Sequence, residues 1–248
     1  MSVEEGGFRS VPATRTRAIV LRAIDYGESD RILGLLTRDF GKLSVFARGA
    51  RKSKRRFAGV DLFSSFDAEI DAAKIKRGGF CAIDSVDNLE QNLELRTDLF
   101  ALCQASYLAE CTWLFMGELD AHPGFFEWWS AILARLRSPN QGADAQVLMD
   151  LEMLRWFGYL PSLRHCIECG TEMADQNVFF AFSKGGIVCR SCHRPDSGRW
   201  MSTRDLQEGK VSALRSTLDA FVRHTLGREP KSQRVREEIC YGNAASVL

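Results

Sequence analysis

Two Cys-x-x-Cys knuckles, Cys166-Ile167-Glu168-Cys169 and Cys189-Arg190-Ser191-Cys192, stand nineteen residues apart and constrain this chain more than any other feature of its sequence. Four thiolates at that separation can occupy the corners of a tetrahedron around one ion, at the Zn–S distance of about 2.3 Å that zinc prefers. Glycines sit where such a ribbon must turn: Gly170 follows the first knuckle and Gly185-Gly186 precede the second. Four sulfurs leave no open position, so the spacing predicts one structural Zn2+ per chain on Cys166, Cys169, Cys189 and Cys192, within a zinc-ribbon-like insert over residues 164–199. His165 and His193 abut the knuckles and read as surface residues. A redox dithiol needs a single Cys-x-x-Cys at the start of a helix that follows a strand, a context missing here.

The remaining four of the eight cysteines are scattered. In a reducing compartment they are free thiols rather than structural bridges. Met1 to Ser10 carries Glu4 and Glu5 and no apolar run, unlike a secretory leader. The most apolar stretch, Leu99 to Met116, is interrupted by Gln104 and Glu110 and falls short of the ~20 apolar residues that span a bilayer. The expectation is a cytoplasmic protein with no membrane partner.

Period separates the chain into parts. From Thr16 to Asp87, short β-favouring runs (18–21, 32–36 and 43–47) alternate with the turn-like segments Tyr26-Gly27-Glu28-Ser29-Asp30 and Arg38-Asp39-Phe40-Gly41. Phe66, Ala68 and Ile70 alternate with Asp67, Glu69 and Asp71, and Gly78-Gly79 leads into Phe80 to Ile83. Five short strands in about seventy residues fit a small closed barrel of the oligonucleotide-binding type. Beyond Asn88 the period becomes helical over Leu89–Gly117, Gly124–Arg137 and Ala143–Phe157, with breaks at Pro123-Gly124 and around Pro139. The pattern resumes over Thr203–Leu226. The fold class expected is therefore a multidomain α+β protein: a barrel over 1–87, a helical domain over 88–163 and 200–248, and the cysteine module inserted between them.

Charge follows the same division. The overall net of +1 hides +5 over residues 1–85, −7 over 86–160 and +3 over 161–248. Within the first block, Arg48-Gly49-Ala50-Arg51-Lys52-Ser53-Lys54-Arg55-Arg56 puts six cations and no acid into nine residues. Like charges packed so closely repel unless a polyanion neutralises them, and counterion release from phosphates is the main drive for nucleic-acid binding. Between the strands of such a barrel, Arg48, Arg51, Lys52, Lys54, Arg55 and Arg56 become the candidate DNA contacts. Phe57, Phe63 and Phe66 read as barrel core more than as stacking platforms. The rings from Trp113 to Phe157 read mostly as packing between helices, with an exposed member or two offering a partner groove near Arg135, Arg137 and Arg155. The run Arg228 to Arg236 reads as a solvated basic tail.

Catalytic signatures are missing from the sequence. It has no GxxxxGK[ST] for ATP, no GxGxxG, no HExxH, and no His-x-Glu with Pro-Cys-x-x-Cys for zinc deamination. Asp25, Asp30 and Asp39 are the carboxylates nearest the basic run and read as turn residues. No catalytic residue is assigned; the alternatives to a DNA-binding mediator are a zinc-supported nucleic-acid-processing enzyme and a protein-interaction scaffold.

The order of these pieces resembles the RecO family of bacterial recombination-mediator proteins. The likeness rests on Ala18 to Leu21 with Tyr26 to Asp30, Leu36-Thr37 with Phe40-Gly41-Lys42, and Ala47 to Arg51. It continues with Phe157 to Pro161 running into Cys166 and Cys169-Gly170, with Gly185-Gly186 before Cys189, and with Leu226-Gly227-Arg228 and Lys231-Ser232. It departs at Glu229-Pro230, where an apolar residue is expected before the Lys-Ser pair. The resemblance implies binding of single- and double-stranded DNA, strand annealing without ATP, and help in loading RecA during repair and homologous recombination. It also implies RecR and the C-terminal tail of single-strand-binding protein as partners, a nucleoid-associated location, and zinc that supports the fold without doing chemistry.

Overall fold

A computed structural model of the chain describes residues 14–71, 75, 81–138, 142–173 and 176–241. The amino-terminal stretch, the Gly78-Gly79 turn, the Pro139 break and the last seven residues lie outside the described residues. The chain divides into two compact units, one of residues 1–92 with 117–127 and the other of 93–116 with 128–248.

The first unit is a curled sheet built on one long strand. β1 (Thr14–Tyr26), β2 (Asp30–Thr37) and β3 (Gly41–Ala47) form an antiparallel meander, as the alternating runs predict. β4 (Ser65–Ile70) returns antiparallel to the first half of β1, and β5 (Cys81–Ile83) lies parallel to β3. That order, with its parallel β3–β5 pair, is a half-barrel of the oligonucleotide-binding kind, left partly open because no ladder joins β4 to β5 among the described residues. A bulge between Val20 and Arg22 bends β1 so that it can serve both neighbours. Inward-facing Ala18, Val20, Leu33, Leu35, Leu43, Val45, Phe66 and Ile70 fill the core.

The helical period expected from Leu89 begins later. Asp87–Glu90 pairs with β4 as a sixth strand, β6, because Arg17 reaches across to the Asn88 carbonyl and the Glu90 carboxylate. Segment 117–127 also belongs to this unit. Its Leu119 amide donates to the Lys42 carbonyl at 3.1 Å, and Glu118 pairs with the Lys42 ammonium at 3.7 Å. At Gly41 (φ 68°) a Cβ would stand 2.1 Å from the Asp120 carbonyl oxygen, so only glycine permits the crossing.

In the second unit α1 (Glu94–Thr97) and α2 (Leu99–Phe115) are separated by Asp98, whose carboxylate accepts the amides of Phe100 and Ala101 as an N-cap. α3 (Pro123–Leu136) starts at Pro123, which the sequence reads as a break; proline suits a first helical turn because its missing amide has no partner there anyway. α4 (Ala143–Trp156) follows. The expected Thr203–Leu226 helix is split into α5 (Arg204–Gln207), a 3-10 turn and α6 (Arg215–Leu226), since Gly209 takes φ 78°. Among the described residues no helix is long and apolar enough to cross a membrane.

The basic tail is the main departure. Lys231–Arg236 forms a helix, α7, and Arg236 is fully buried, as is Gln233. The Arg236 guanidinium meets Asp150 of α4 at 2.7 Å, pairs with Asp219 of α6, and lies 3.3 Å from the centroid of the Tyr107 ring on α2. Glu110 of α2 caps the start of α7, accepting the Lys231 amide at 3.0 Å and the Ser232 amide and hydroxyl at 2.8 and 2.6 Å. Pro230 is buried, so it fills the place where the family resemblance leads one to expect an apolar residue. This stretch closes the helical unit.

Candidate nucleic-acid interface and four-cysteine centre

The basic run connects β3 to β4 and is stitched to the barrel. Gly49 (φ 68°) turns the chain and gives its amide to Asp30 at 2.7 Å, the Arg51 amide donates to the Ser29 carbonyl at 3.0 Å, and the Val86 amide donates to the Arg56 carbonyl at 3.2 Å. Phe57, 2% exposed, anchors the end of the run in the core.

All six cations are exposed, but they are not equivalent. Arg51 pairs with Asp25 at 3.3 Å and donates to the Gly27 carbonyl at 2.6 Å. Lys52 lies 4.0 Å from Glu28, and Arg56 donates to the carbonyls of Asp84 and Arg48. Arg48, Lys54 and Arg55 have side chains with no such partner among the described residues. The run therefore splits into three cations that brace the loop and three that face solvent. Asp25, Asp30 and Asp39 act as turn ties: Asp25 takes Arg31 at 2.9 Å, Asp30 takes Gly49, and Asp39 takes the Thr16 hydroxyl at 2.6 Å.

The exposed rings of the barrel lie elsewhere than the three phenylalanines of the basic region. Phe57, Phe63 and Phe66 are all core. On the outer face of β1–β3, register aligns Arg22, Gly34 and Ser44 in one row and Ile24, Ile32 and Phe46 in the next. Tyr26, 56% exposed, meets Phe46 edge-on at 5.5 Å. The sequence places Tyr26 in a turn; the bulge carries β1 on to Tyr26 and turns its ring outward beside the loop that Arg51 clamps to Gly27. Period-2 counting from Arg22 through Ile24 to Tyr26 is the signal that could have found it.

The four cysteines come together as their spacing predicts. All four sulfurs lie within 4.8 Å of one another, with Cys169 and Cys189 3.9 Å apart. The edge of a tetrahedron with Zn–S bonds of about 2.3 Å is close to that separation. Gly170 (φ 73°) lets the first knuckle fold back, its amide donating to the Cys166 carbonyl at 2.8 Å. β7 (Asn177–Ala181) and β8 (Gly186–Val188), between the knuckles, pair with each other, β9 (Gly198–Ser202), after the second knuckle, pairs with β7, and at Gly186 a Cβ would crowd Ile167 at 2.7 Å.

The sulfurs are prepared for a cation. Burial raises the Cys166 thiol, but donation from the Cys189, Cys169 and Glu168 amides outweighs it and holds the group below the ordinary thiol range. The Thr171 hydroxyl, 3.3 Å from the Cys169 sulfur, lowers Cys169, and the Cys192 amide lowers Cys189. Contact with the Cys189 and Cys169 sulfurs pushes Cys192 up to about 12. Three sulfurs held below the ordinary thiol range and one held above it, gathered around a point, suit a divalent ion that binds sulfur as thiolate. The donor set fits a metal held by sulfur alone, with no position left for substrate. His165 is exposed, and His193 stacks on Phe179 rather than joining the sulfurs.

In the helical unit Trp129 is buried and its indole donates to the Thr112 hydroxyl at 3.1 Å, while Phe125 and Phe126, of segment 117–127, are buried as well. Phe115 stacks on Phe157 at 5.2 Å and on Tyr159 at 5.3 Å. Trp156, Tyr159 and Leu160 stay 43–53% exposed, beside exposed Arg155. Tyr159 and Leu160 form the rim of a cavity of about 430 Å3 floored by Phe182 and Phe221.

Comparison with known proteins gives one consistent match. Residues 12–88 fit the family model for the Recombination protein O N terminal, and residues 96–234 that for the Recombination protein O C terminal. The chain is 34% identical over 245 residues to a DNA repair protein RecO of Anaeromyxobacter dehalogenans, covering 89% of this chain and 94% of the relative. It is 33% identical to the Myxococcus xanthus protein of that name over 87% of this chain and 93% of the relative. The Bacillus subtilis protein of that name is 33% identical over 75% of this chain and 71% of its own length.

Proposed function

This chain belongs to the RecO family of DNA repair proteins, and on that premise we propose that it is a recombination mediator acting by holding strands. It binds single- and double-stranded DNA, anneals complementary strands without ATP, and helps load RecA onto DNA covered by single-strand-binding protein. The observation that carries this reading is a loop that Arg51 ties to Gly27, next to exposed Tyr26, and that leaves Arg48, Lys54 and Arg55 facing solvent. The cations screen phosphates while the rings accept bases, and neither contact depends on sequence. Base pairing is already downhill, so annealing requires only that repulsion between two strands be screened. Arg51, Lys52 and Arg56 hold the loop in position for this.

The metal is zinc, on Cys166, Cys169, Cys189 and Cys192, and its role is to fold the module. RecR and the tail of single-strand-binding protein are the protein partners. The exposed rings of Trp156 and Tyr159 beside Arg155 support placing the tail site on the helical unit. The chain is not an enzyme.

The test is an annealing assay on complementary fluorescent oligonucleotides without nucleotide or added metal, repeated with magnesium. Annealing in both conditions with strands left intact is expected; strand cleavage that depends on magnesium would assign a nuclease instead. Elemental analysis of the freshly purified full chain should return about one zinc per chain, and less than about one-tenth of an equivalent would remove zinc from the account.

A further inference from the structure

The cysteine module presents a second surface that its closed metal centre does not use. Along β7 to β9 the side chains alternate. Phe180 and Arg199 turn toward α6, where Phe180 meets Phe221 at 5.4 Å and Arg199 donates to the Ser216 hydroxyl at 2.9 Å. Phe179 and Trp200, paired in register, turn the other way. On that side His193 leans edge-on to Phe179 at 4.4 Å and flanks Trp200 at 5.2 Å, making a ladder of three rings. Trp200 remains 50% exposed, and the guanidinium of exposed Arg190 stands 5.9 Å from its ring.

Charge on this part of the module is one-sided. Residues 176–204, which Asp175 and Asp205 flank, hold five cations, Lys184 (already paired with Glu168), Arg190, Arg194, Arg199 and Arg204, against one acid, Asp196. That acid is already engaged by the Ser183 hydroxyl and the Ser197 amide. Arg194, also exposed, is held beside His193 by donating to the His193 carbonyl at 2.9 Å. A small module needs no half-bare tryptophan to be stable, since Phe179, Phe180 and Val188 already supply its core. A flat ring at the surface, flanked by a second ring and by the guanidiniums of Arg190 and Arg194, which have no carboxylate partner among the described residues, is complementary to an unpaired base attached to phosphate.

We propose that the Trp200–His193 face of the four-cysteine module is a second single-stranded nucleic-acid site, with a base stacked on Trp200 and phosphates met by Arg190 and Arg194. The inference rests on the reading that the protein handles DNA, and it adds a strand-holding surface separate from the barrel loop. The module's metal then has a further consequence: by fixing the second knuckle, it fixes Arg190, His193 and Arg194 around the tryptophan.

The test measures binding of fluorescein-labelled oligothymidylate to the full chain by anisotropy, with zinc content and circular dichroism checked for each variant. Trp200→Ala is expected to weaken binding by about tenfold and Trp200→Phe to restore most of it, because a ring and not the indole itself is required. Arg190→Glu, at an exposed side chain beside that ring, is expected to weaken binding and flatten its salt dependence; it remains decisive if Trp200→Ala loses zinc. A bromodeoxyuridine oligonucleotide should crosslink to the peptide containing Trp200. Wild-type affinity in both Trp200→Ala and Arg190→Glu, alongside loss in a barrel variant lacking Arg48, Lys54 and Arg55, would overturn this inference and leave the proposed function standing. Failure of the wild-type chain to bind any oligonucleotide would overturn both.

Discussion

Residues 48–56 and residues 228–236 are both arginine-rich, and the two stretches meet opposite fates. In the first, Arg48, Lys54 and Arg55 stand in solvent on a loop tied down by their neighbours. In the second, Arg236 is sealed between Asp150, Asp219 and the Tyr107 ring. The difference comes from the acids that tertiary structure delivers. Near 48–56 the carboxylates of Asp25, Glu28 and Asp30 sit at one end of the barrel and reach only part of the run. Around Arg236, two carboxylates from separate helices converge, and Asp150 also takes the Gln104 amide at 2.9 Å. A charged run thus announces a polyanion site only where the fold leaves its cations unanswered.

The sharpest way to break this comparison is to remove one arginine from each stretch. Arg236→Ala leaves two buried carboxylates without their counterion and should cost about 3–5 kcal/mol of stability in denaturant unfolding. Arg55→Ala should change stability by less than about 0.5 kcal/mol, as exposed substitutions do. Equal costs would mean that the two runs are not different in kind.

A second test uses pH. Burial outweighs the attraction of Arg236 and, with Asp150 and Glu237 also facing it, raises Asp219 to about 6. The folded chain then holds this proton more tightly than the unfolded chain, whose carboxyl titrates near 3.8. Asp219 therefore favours folding most strongly below that lower value, and its contribution falls as pH rises through about 6. Asp219→Asn should flatten the stability curve between those limits and cost much less than Arg236→Ala, since Asp150 still answers the guanidinium. A curve of unchanged slope would show Asp219 to be ionised throughout.

The third test addresses the exposed stretch. Replacing Arg48, Lys54 and Arg55 together with Ala should reduce the slope of log affinity for single strands against log salt by about 2, from roughly 0.7 per phosphate contact. Arg51, Lys52 and Arg56, already engaged by the barrel, should give a smaller change when replaced one at a time. A slope unmoved by the triple variant would place the DNA away from this loop.

A fourth test addresses the cap that Glu110 provides. Burial raises its carboxyl, but the Ser232 hydroxyl and the amides of Ser232 and Lys231 more than offset this and hold it below the usual carboxylate range. Glu110→Ala should cost about 1 kcal/mol, as loss of a helix cap does, without altering DNA affinity.

The knuckles were legible in the sequence because a metal centre needs its ligands at fixed short spacing, and Cys166 and Cys169 carry that spacing within one turn. The meander was legible because Leu33, Leu35, Leu43 and Val45 alternate on strands joined by short turns. Arg236 was not, since its partners lie 86 and 17 residues away and neither Asp150 nor Asp219 departs from the look of an ordinary helical acid. Tyr26 was hidden by Gly27, which marks a turn so strongly that the strand's last residue was absorbed into it. β6 was hidden for a related reason: Leu89 fits the helical period that follows, and only the reach of Arg17 shows that Asp87–Glu90 pairs with β4.

Gly41 carries one more consequence, for how the chain is made. The Asp120 carbonyl passes over it, and segment 117–127 thereby joins a barrel whose strands all precede residue 92. During synthesis the strands leave the ribosome first, and the piece that crosses their β2–β3 turn follows only after α1 and α2. Until it arrives, Lys42 lacks Glu118 and the backbone at Gly41 is bare. A nascent barrel is therefore unfinished while its own sequence is already complete, and a fragment cut at Asn92 inherits that unfinished edge.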